Sequence, residues 1–122
     1  MYHSSPDFEA FGPAYVVFTD KHIKKYGEKT LSVYHAHAYD AANVIFAAIK
    51  KVAVVEKDGT IYIGRKALRD ALYATKDFKG ITGTLTCDQY GDCADPRIAV
   101  YKTTAEDIKA LVMPRKPFWK PY

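Results

Sequence analysis

The spacing of apolar positions predicts one dominant helix near the middle of the chain, from Tyr34 to Val52. Small and apolar residues recur there at helical intervals, and the expected buried face consists of Ala38, Ala41, Ala42, Ile45, Ala48, Ile49 and Val52. Alanine is the best helix former, and its small side chain allows a close approach to a neighbouring element. Two lysines near the end suit the negative pole of the helix dipole.

Three other segments carry helical patterns. Pro13–Tyr26 begins with a proline, which suits a first helical turn, and it is followed by Gly27, a typical helix-ending residue. Arg65–Ala74 has two leucines one turn apart, which predicts an inward face. Ala105–Val112 could form a short last helix, because acidic residues stand at its start.

Strand patterns occupy the remainder of the second half. Asp58-Gly59 separates two short β-favouring runs, so a hairpin is expected there. Apolar residues and threonines alternate from Ile81 to Cys87, and Arg97–Lys102 alternates again after the turn Asp88–Asp92. The expected fold class is α/β, or α+β for an isolated piece, with three main helices and a short β-hairpin-like pair.

Chain length and net charge limit the classes of protein to which the sequence can belong. With 122 residues and a net charge of +4, the chain suits one globular domain. Its basic residues occur as scattered pairs, such as Lys24-Lys25, which predicts a solvated surface and no nucleic-acid partner. Apolar runs are too short to span a membrane, and no signal peptide is expected after Met1.

Signatures of catalysis are missing from the sequence. It contains no P-loop, GxGxxG, GxSxG or HExxH motif. His35 and His37 are two positions apart, so on a helix they point about 200° from each other and cannot share a metal. A small enzyme that uses either histidine as a base lacks evident partner residues. We therefore expect no enzyme, no metal and no cofactor.

Two cysteines flank the turn that follows the threonine-rich strand. Cys87 and Cys93 would come within bonding range across a hairpin-like turn, and a disulfide closing so short a loop contributes roughly 2 kcal/mol. Reduced, unpaired thiols are the alternative, whereas two cysteines alone cannot build a structural zinc site. A disulfide predicts a location outside the reducing cytosol. Export without a signal peptide would require a mature form or a piece of a longer chain.

A series of short motifs follows a fixed order along the chain. They are Ser5-Pro-Asp7, Phe18 with Tyr26-Gly27, Tyr34 with Tyr39-Asp40-Ala41, Ala67–Leu72, Phe78-Lys-Gly-Ile-Thr-Gly83 and Asp88-Gln-Tyr-Gly-Asp92. In this order they resemble the C-terminal third of extracellular solute-binding proteins, in the leucine/isoleucine/valine-binding branch that serves ABC importers. The resemblance runs from about Tyr2 to Lys102.

The resemblance implies a non-catalytic fragment of a two-lobe type I periplasmic binding protein, roughly three times as long. The expected segments are a lead-in with the first helix (1–33), a helical first-lobe part (34–80), strands with a crossover (81–102), and a last helix with a Pro-rich tail (103–122). The parent protein would be periplasmic or extracellular, with a membrane-associated lipoprotein as one alternative. It would deliver an amino acid or similar solute to the permease of an ABC importer.

By the same resemblance, Tyr34 is the aromatic residue that contributes to the ligand cleft, with His35 beside it. An aromatic ring at a helix entry can stack on an apolar ligand group while its hydroxyl bonds a polar one. The alternative is that Tyr34 belongs to the core. His35 departs from the apolar or small residue expected at this place in the family, which leaves the ligand class open.

Two further expectations concern partners. Pro114-Arg-Lys-Pro117 is a PxxP pattern, so a free-standing interaction module with a Pro-rich tail is the alternative function. The prolines of the tail also predict an absence of regular structure from Met113 to Tyr122. As an isolated fragment, the chain is expected to self-associate, because faces meant for missing parts would be exposed.

Overall fold

The computed structural model describes residues 1–30, 33–93, 95, 97–111 and 116–121. The chain divides into two compact units. Unit 1 contains Met1–Tyr34 together with Pro96–Tyr122, and unit 2 contains His35–Asp95. Unit 2 is therefore inserted between the two halves of unit 1. This division differs from the four consecutive segments expected above, whose assignment to parts of a larger protein stays a prediction.

Unit 1 is built on an antiparallel pair of five-residue strands, β1 (Tyr2–Pro6) and β6 (Ile98–Lys102). Their register places Tyr2 opposite Lys102, and successive side chains alternate between the two faces of the pair. Ala99 and Tyr101 point to the inner face and are buried. The strand predicted at Arg97–Lys102 is confirmed as β6, but its pairing with the start of the chain was not predicted.

Helices of unit 1 follow the sequence closely. A 3₁₀ turn at Phe8–Phe11 leads into α1 (Pro13–Tyr26), whose predicted bounds are confirmed. Gly27 ends α1 in the left-handed region, with φ at 78°. The last helix, α4, spans Ala105–Lys109, where Thr104 and Asp107 form a reciprocal capping box. The predicted end of this helix, Val112, lies outside the described residues.

A buried carboxylate joins the two ends of unit 1. Asp7 is almost fully buried, and its Oδ2 lies 2.5 Å from the Lys120 ammonium. Its other oxygen accepts a hydrogen bond from the Glu9 backbone N–H at 3.2 Å. An interior ion pair is costly to desolvate, so each charge depends on the other staying in place. Lys120 therefore holds the C-terminal segment against the start of the chain.

Unit 2 contains two helices and two short hairpins. Helix α2 spans His35–Val52, and α3 spans Arg65–Tyr73. The expected hairpin around Asp58-Gly59 is confirmed as β2 (Val54–Val55) paired with β3 (Ile61–Tyr62). The second pair is β4 (Phe78–Lys79) with β5 (Thr84–Leu85).

The predicted buried face of α2 is wrong in its position around the helix. The residues that are buried are Ala36, Asp40, Val44 and Ala48, a row with a spacing of four. Of the expected face, Ala38, Ala41 and Ile45 are exposed, and Ala48 alone is fully buried. Small residues lie on several sides of this helix, so its periodicity did not determine which row would pack. Contacts with α3 and with the loop around Thr82 select the row that contains Asp40.

Two other expectations need correction. The strand predicted from Ile81 to Cys87 shrinks to Thr84–Leu85, because the backbone before it bonds to a side chain of α2. The tail is not wholly irregular either. Trp119 forms an antiparallel bridge with Val100 of β6. Residues 112–115, which include the first proline of the PxxP pattern, lie outside the described residues.

The expected fold class is confirmed as a mixed arrangement of helices and short strands. The described residues form four α-helices and three separate two-stranded antiparallel pairs. Each unit has its own small core. Phe11, Ala99 and Tyr101 are buried in unit 1, and Val44, Ala48, Leu85 and Cys87 are buried in unit 2.

Candidate ligand-contacting segment at the start of the central helix

Tyr34 and His35, the two residues expected to contact a ligand, lie where the chain enters α2. Tyr34 occupies the turn directly before the helix, and 57% of it is exposed. His35 is the first helical residue and is half-buried. The exposure of Tyr34 argues against the alternative that it is a core residue. A contact with ligand stays a prediction for both side chains.

His37, two positions after His35, is partly buried. Burial lowers the pKa of this imidazole, and the nearby His35 lowers it further, while the Asp40 carboxylate acts in the opposite direction. The net shift is downward, so His37 favours its neutral form at physiological pH.

Asp40 fixes this end of α2 within unit 2. Its Oδ1 accepts a hydrogen bond from the Ile81 backbone N–H at 2.9 Å. Its Oδ2 accepts two from Thr82, one from the backbone N–H at 2.8 Å and one from Oγ1 at 2.6 Å. Both Asp40 and Thr82 are buried. The carboxylate thus joins the helix to a loop about forty positions away, and each bond to an ionised acceptor is stronger than a neutral one.

The glycines of that loop allow the close approach. A Cβ on Gly80 would overlap the Asp40 carboxylate. Gly83 adopts a φ of 143°, which side chains disfavour, and a Cβ there would overlap the Asp95 carboxylate. Asp95 accepts a hydrogen bond from the Thr84 backbone N–H at 3.2 Å. Within the motif Phe78-Lys-Gly-Ile-Thr-Gly83, the two glycines therefore leave room for two carboxylates to lie against the backbone of the loop after β4.

The predicted disulfide is confirmed. Cys87 and Cys93 are joined with an S–S distance of 2.04 Å. Within the loop that they close, Oδ1 of Asp88 accepts hydrogen bonds from the backbone N–H groups of Tyr90 and Asp92, at 2.8 and 3.0 Å. Cys87 is buried and donates its own N–H to the Thr75 carbonyl at 2.9 Å. Both a covalent and a polar constraint hold this loop.

In the sequence, Asp40 stands out only within the motif Tyr39-Asp40-Ala41, which does not by itself predict a structural role. Its role as an anchor was missed, although two signals were present. One is a carboxylate inside an alanine-rich helix, and the other is a Gly-Ile-Thr-Gly stretch rich in backbone donors. Within the described part of the chain, no three histidine, cysteine or acidic side chains converge as metal ligands would. Nor is any described helix long and apolar enough to cross a membrane.

Comparisons with known proteins give one informative likeness. No protein-family model and no curated protein matches the chain. Among solved structures, it is similar to the leucine binding protein LivK from Thermotoga maritima MSB8, with a TM-score of 0.60 and 21% sequence identity. The match covers 86% of this chain and 28% of that one. The chain therefore spans less than a third of the length of LivK and has the fold of part of a leucine-binding protein.

Proposed function

We propose that the chain is part of an extracellular or periplasmic solute-binding protein that delivers an amino acid, or a similar small solute, to the permease of an ABC importer. The observation that supports this proposal is the fold likeness to a leucine-binding protein over most of the chain. The Cys87–Cys93 disulfide agrees with a location outside the cytosol. No catalytic step is assigned to the chain.

In this proposal Tyr34 and His35 contribute one side of the ligand site. The Tyr34 ring lies in the turn directly before α2 and is exposed, so it is available to stack on an apolar group of a solute. His35 is the first residue of α2, whose start is held by the bonds of Asp40 to Ile81 and Thr82. A ligand contact on a firmly held element loses less conformational entropy on binding.

The isolated chain should not bind an amino acid with useful affinity. Solute-binding sites of this kind enclose their ligand, and contacts from one side rarely exceed the entropy lost on capture. Calorimetry with leucine, isoleucine and valine should therefore give no heat of binding for the 122 residues alone. Micromolar binding by the isolated chain would contradict the assignment as one part of a larger binding protein.

The direct test uses the product of the complete reading frame that encodes the chain. Calorimetry against a panel of amino acids should identify a ligand, and Tyr34→Ala should weaken its binding at least tenfold (about 1.4 kcal/mol). Tyr26→Ala is the matched control, because Tyr26 is 59% exposed in the same unit and lies outside the proposed site. Absence of binding to any small solute would refute the function. Equal losses in both variants would refute the role of Tyr34.

A further inference from the structure

The outer face of the β1–β6 pair carries exposed aromatic rings where a soluble surface is usually polar. Tyr2, Phe118 and Trp119 are 57%, 61% and 56% exposed. The Tyr2 and Phe118 rings meet edge to face, with centroids 5.2 Å apart. Trp119 follows in the chain and pairs with Val100 of the neighbouring strand. Two of the three rings are thus in contact, and the third belongs to the neighbouring residue of the same paired segment in unit 1.

The backbone fixes these rings in their exposed positions. The N–H groups of Phe118 and Trp119 both donate to the Val100 carbonyl, at 2.8 and 3.1 Å, and Val100 donates back to the Trp119 carbonyl at 2.9 Å. One residue later, Lys120 is held by the buried Asp7 carboxylate. The segment is therefore held at the ring-bearing residues by backbone bonds and directly after them by an ion pair. Exposure of the rings results from this anchoring and not from a loose chain end.

Two exposed lysines neighbour these aromatic residues, one in the strand register and one in the sequence. Lys102 stands directly opposite Tyr2 in the strand register, and Lys116 precedes Phe118 by two positions; both are exposed. Residues 111–122 contain three basic residues and no acidic one, and 1–6 contain no acidic residue either. We name Tyr2, Phe118, Trp119, Lys102 and Lys116 the aromatic–lysine patch.

From this combination we propose that the aromatic–lysine patch docks on an anionic membrane surface. Tryptophan and tyrosine rings favour the boundary between lipid headgroups and acyl chains, since each has an apolar body and a polar edge. Lysine stems extend along apolar surface while their ammonium groups reach the anionic headgroups. Aromatic rings supply buried apolar area, and the positive charge supplies attraction to anionic lipid.

A second copy of the chain fits this surface less well. Two patches placed face to face would bring lysines together, and the whole chain already carries a net charge of +4. A membrane surface instead offers the opposite charge over a wide area. The proposal goes beyond solute binding, because it places the C-terminal segment against the bilayer whatever ligand the protein carries.

Trp119 is the only tryptophan in the sequence, so intrinsic fluorescence reports directly on the patch. The 122-residue chain is titrated with vesicles of equimolar phosphatidylglycerol and phosphatidylcholine, and with vesicles of phosphatidylcholine alone. We expect a blue shift of the emission with the anionic vesicles, reversed by added salt. Absence of a shift, or an equal shift with both vesicles, would overturn the proposal.

Variants separate the two contributions, with vesicle sedimentation as the readout. Phe118→Ser together with Trp119→Ser should lower the partition coefficient by about tenfold or more. Lys102→Gln and Lys116→Gln should each lower it about fivefold. Tyr62→Ser is the control, because Tyr62 is 60% exposed but lies in unit 2, and it should leave partitioning unchanged.

Binding of another partner to the aromatic–lysine patch would give different results in these experiments. A blue shift that appears on raising the protein concentration without lipid would identify a second copy and overturn the proposal. Binding to single-stranded DNA in preference to anionic vesicles would identify stacking on bases and would also overturn it. Circular dichroism of each variant confirms that the fold is retained before partitioning is compared.

Discussion

Thr82 donates two hydrogen bonds to one oxygen of the Asp40 carboxylate, from its backbone N–H at 2.8 Å and from its hydroxyl at 2.6 Å. Both residues are buried, so neither donor has water as a substitute. A carboxylate in this position cannot be removed without leaving polar groups unsatisfied. The pair therefore links the entry of α2 to the loop between β4 and β5.

The first prediction is that Asp40→Ala strongly destabilises unit 2. The substitution leaves three donors on Ile81 and Thr82 without their acceptor, at a cost of about 3 kcal/mol or more in the free energy of unfolding. Urea denaturation followed by circular dichroism measures this loss. Asp20→Ala is the control, since Asp20 is exposed on α1 and should change stability by less than about 0.5 kcal/mol. Equal stability of both variants would contradict the anchoring role.

A second prediction concerns the space around the same carboxylate. Gly80→Ala would press a methyl group against Asp40 and should destabilise the protein by about 1–3 kcal/mol. Gly64→Ala provides the comparison, because its added Cβ would lie 3.7 Å from the Ala67 side chain, an ordinary contact. Thermal melts of the two variants side by side give the difference. A melting temperature for Gly80→Ala equal to that of Gly64→Ala would disprove the close packing.

The third prediction concerns the effect of reducing the disulfide on mass and stability. Reduction should raise the mass by about two daltons, because two thiol hydrogens are added, and should lower stability by roughly 2 kcal/mol. Mass spectrometry and denaturation, each with and without reductant, measure these changes. The paired variant Cys87→Ser with Cys93→Ser should be insensitive to reductant. Two thiols that alkylate freely in non-reduced protein would contradict the bond.

Stability should also fall on acidification through His37. Its pKa is lowered in the folded state, chiefly by burial, so the unfolded chain binds the proton more readily. The stabilisation is complete above the unfolded pKa of about 6.5 and is lost as the pH falls below that value. His37→Asn should flatten the dependence of the melting temperature between roughly pH 7.5 and 5.5. A slope that His37→Asn leaves unchanged would contradict this prediction.

The fifth prediction is self-association of the isolated chain through unit 2. Its exposed apolar side chains include Ile45 and Phe46 on α2 and Val54, Val55, Ile61 and Tyr62 on the hairpin. Paired strands of only two residues also leave backbone edges available for further pairing. Light scattering should give a mass that rises with concentration, and Val55→Lys with Ile61→Lys should suppress the rise. A strictly monomeric chain at high concentration would refute this expectation.

Local sequence patterns predicted the bounds of helices and turns better than they predicted which segments pack against each other. The bounds of α1 were predictable because Pro13 and Gly27 determine the backbone conformation locally, independently of what packs against the helix. The Cys87–Cys93 bond was predictable because the intervening turn is local. The buried row of α2 was not predictable, because it is determined by a loop some forty positions away. The exposed position of Tyr34 follows from the turn before α2, but no feature of the sequence fixed the ligand that it would meet.

The pairing of β1 with β6 has a consequence for the order of folding. Tyr2 and Lys102 are opposite each other although nearly the whole chain separates them, whereas every bond made by Asp40 lies within His35–Asp95. Closing a long loop costs entropy before any contact offsets it, so non-local strand pairing is slow. During synthesis, β1 must wait for β6 to emerge, while unit 2 already has all of its partners. Unit 2 should therefore form first, and the strand pair of unit 1 should form only after β6 has emerged.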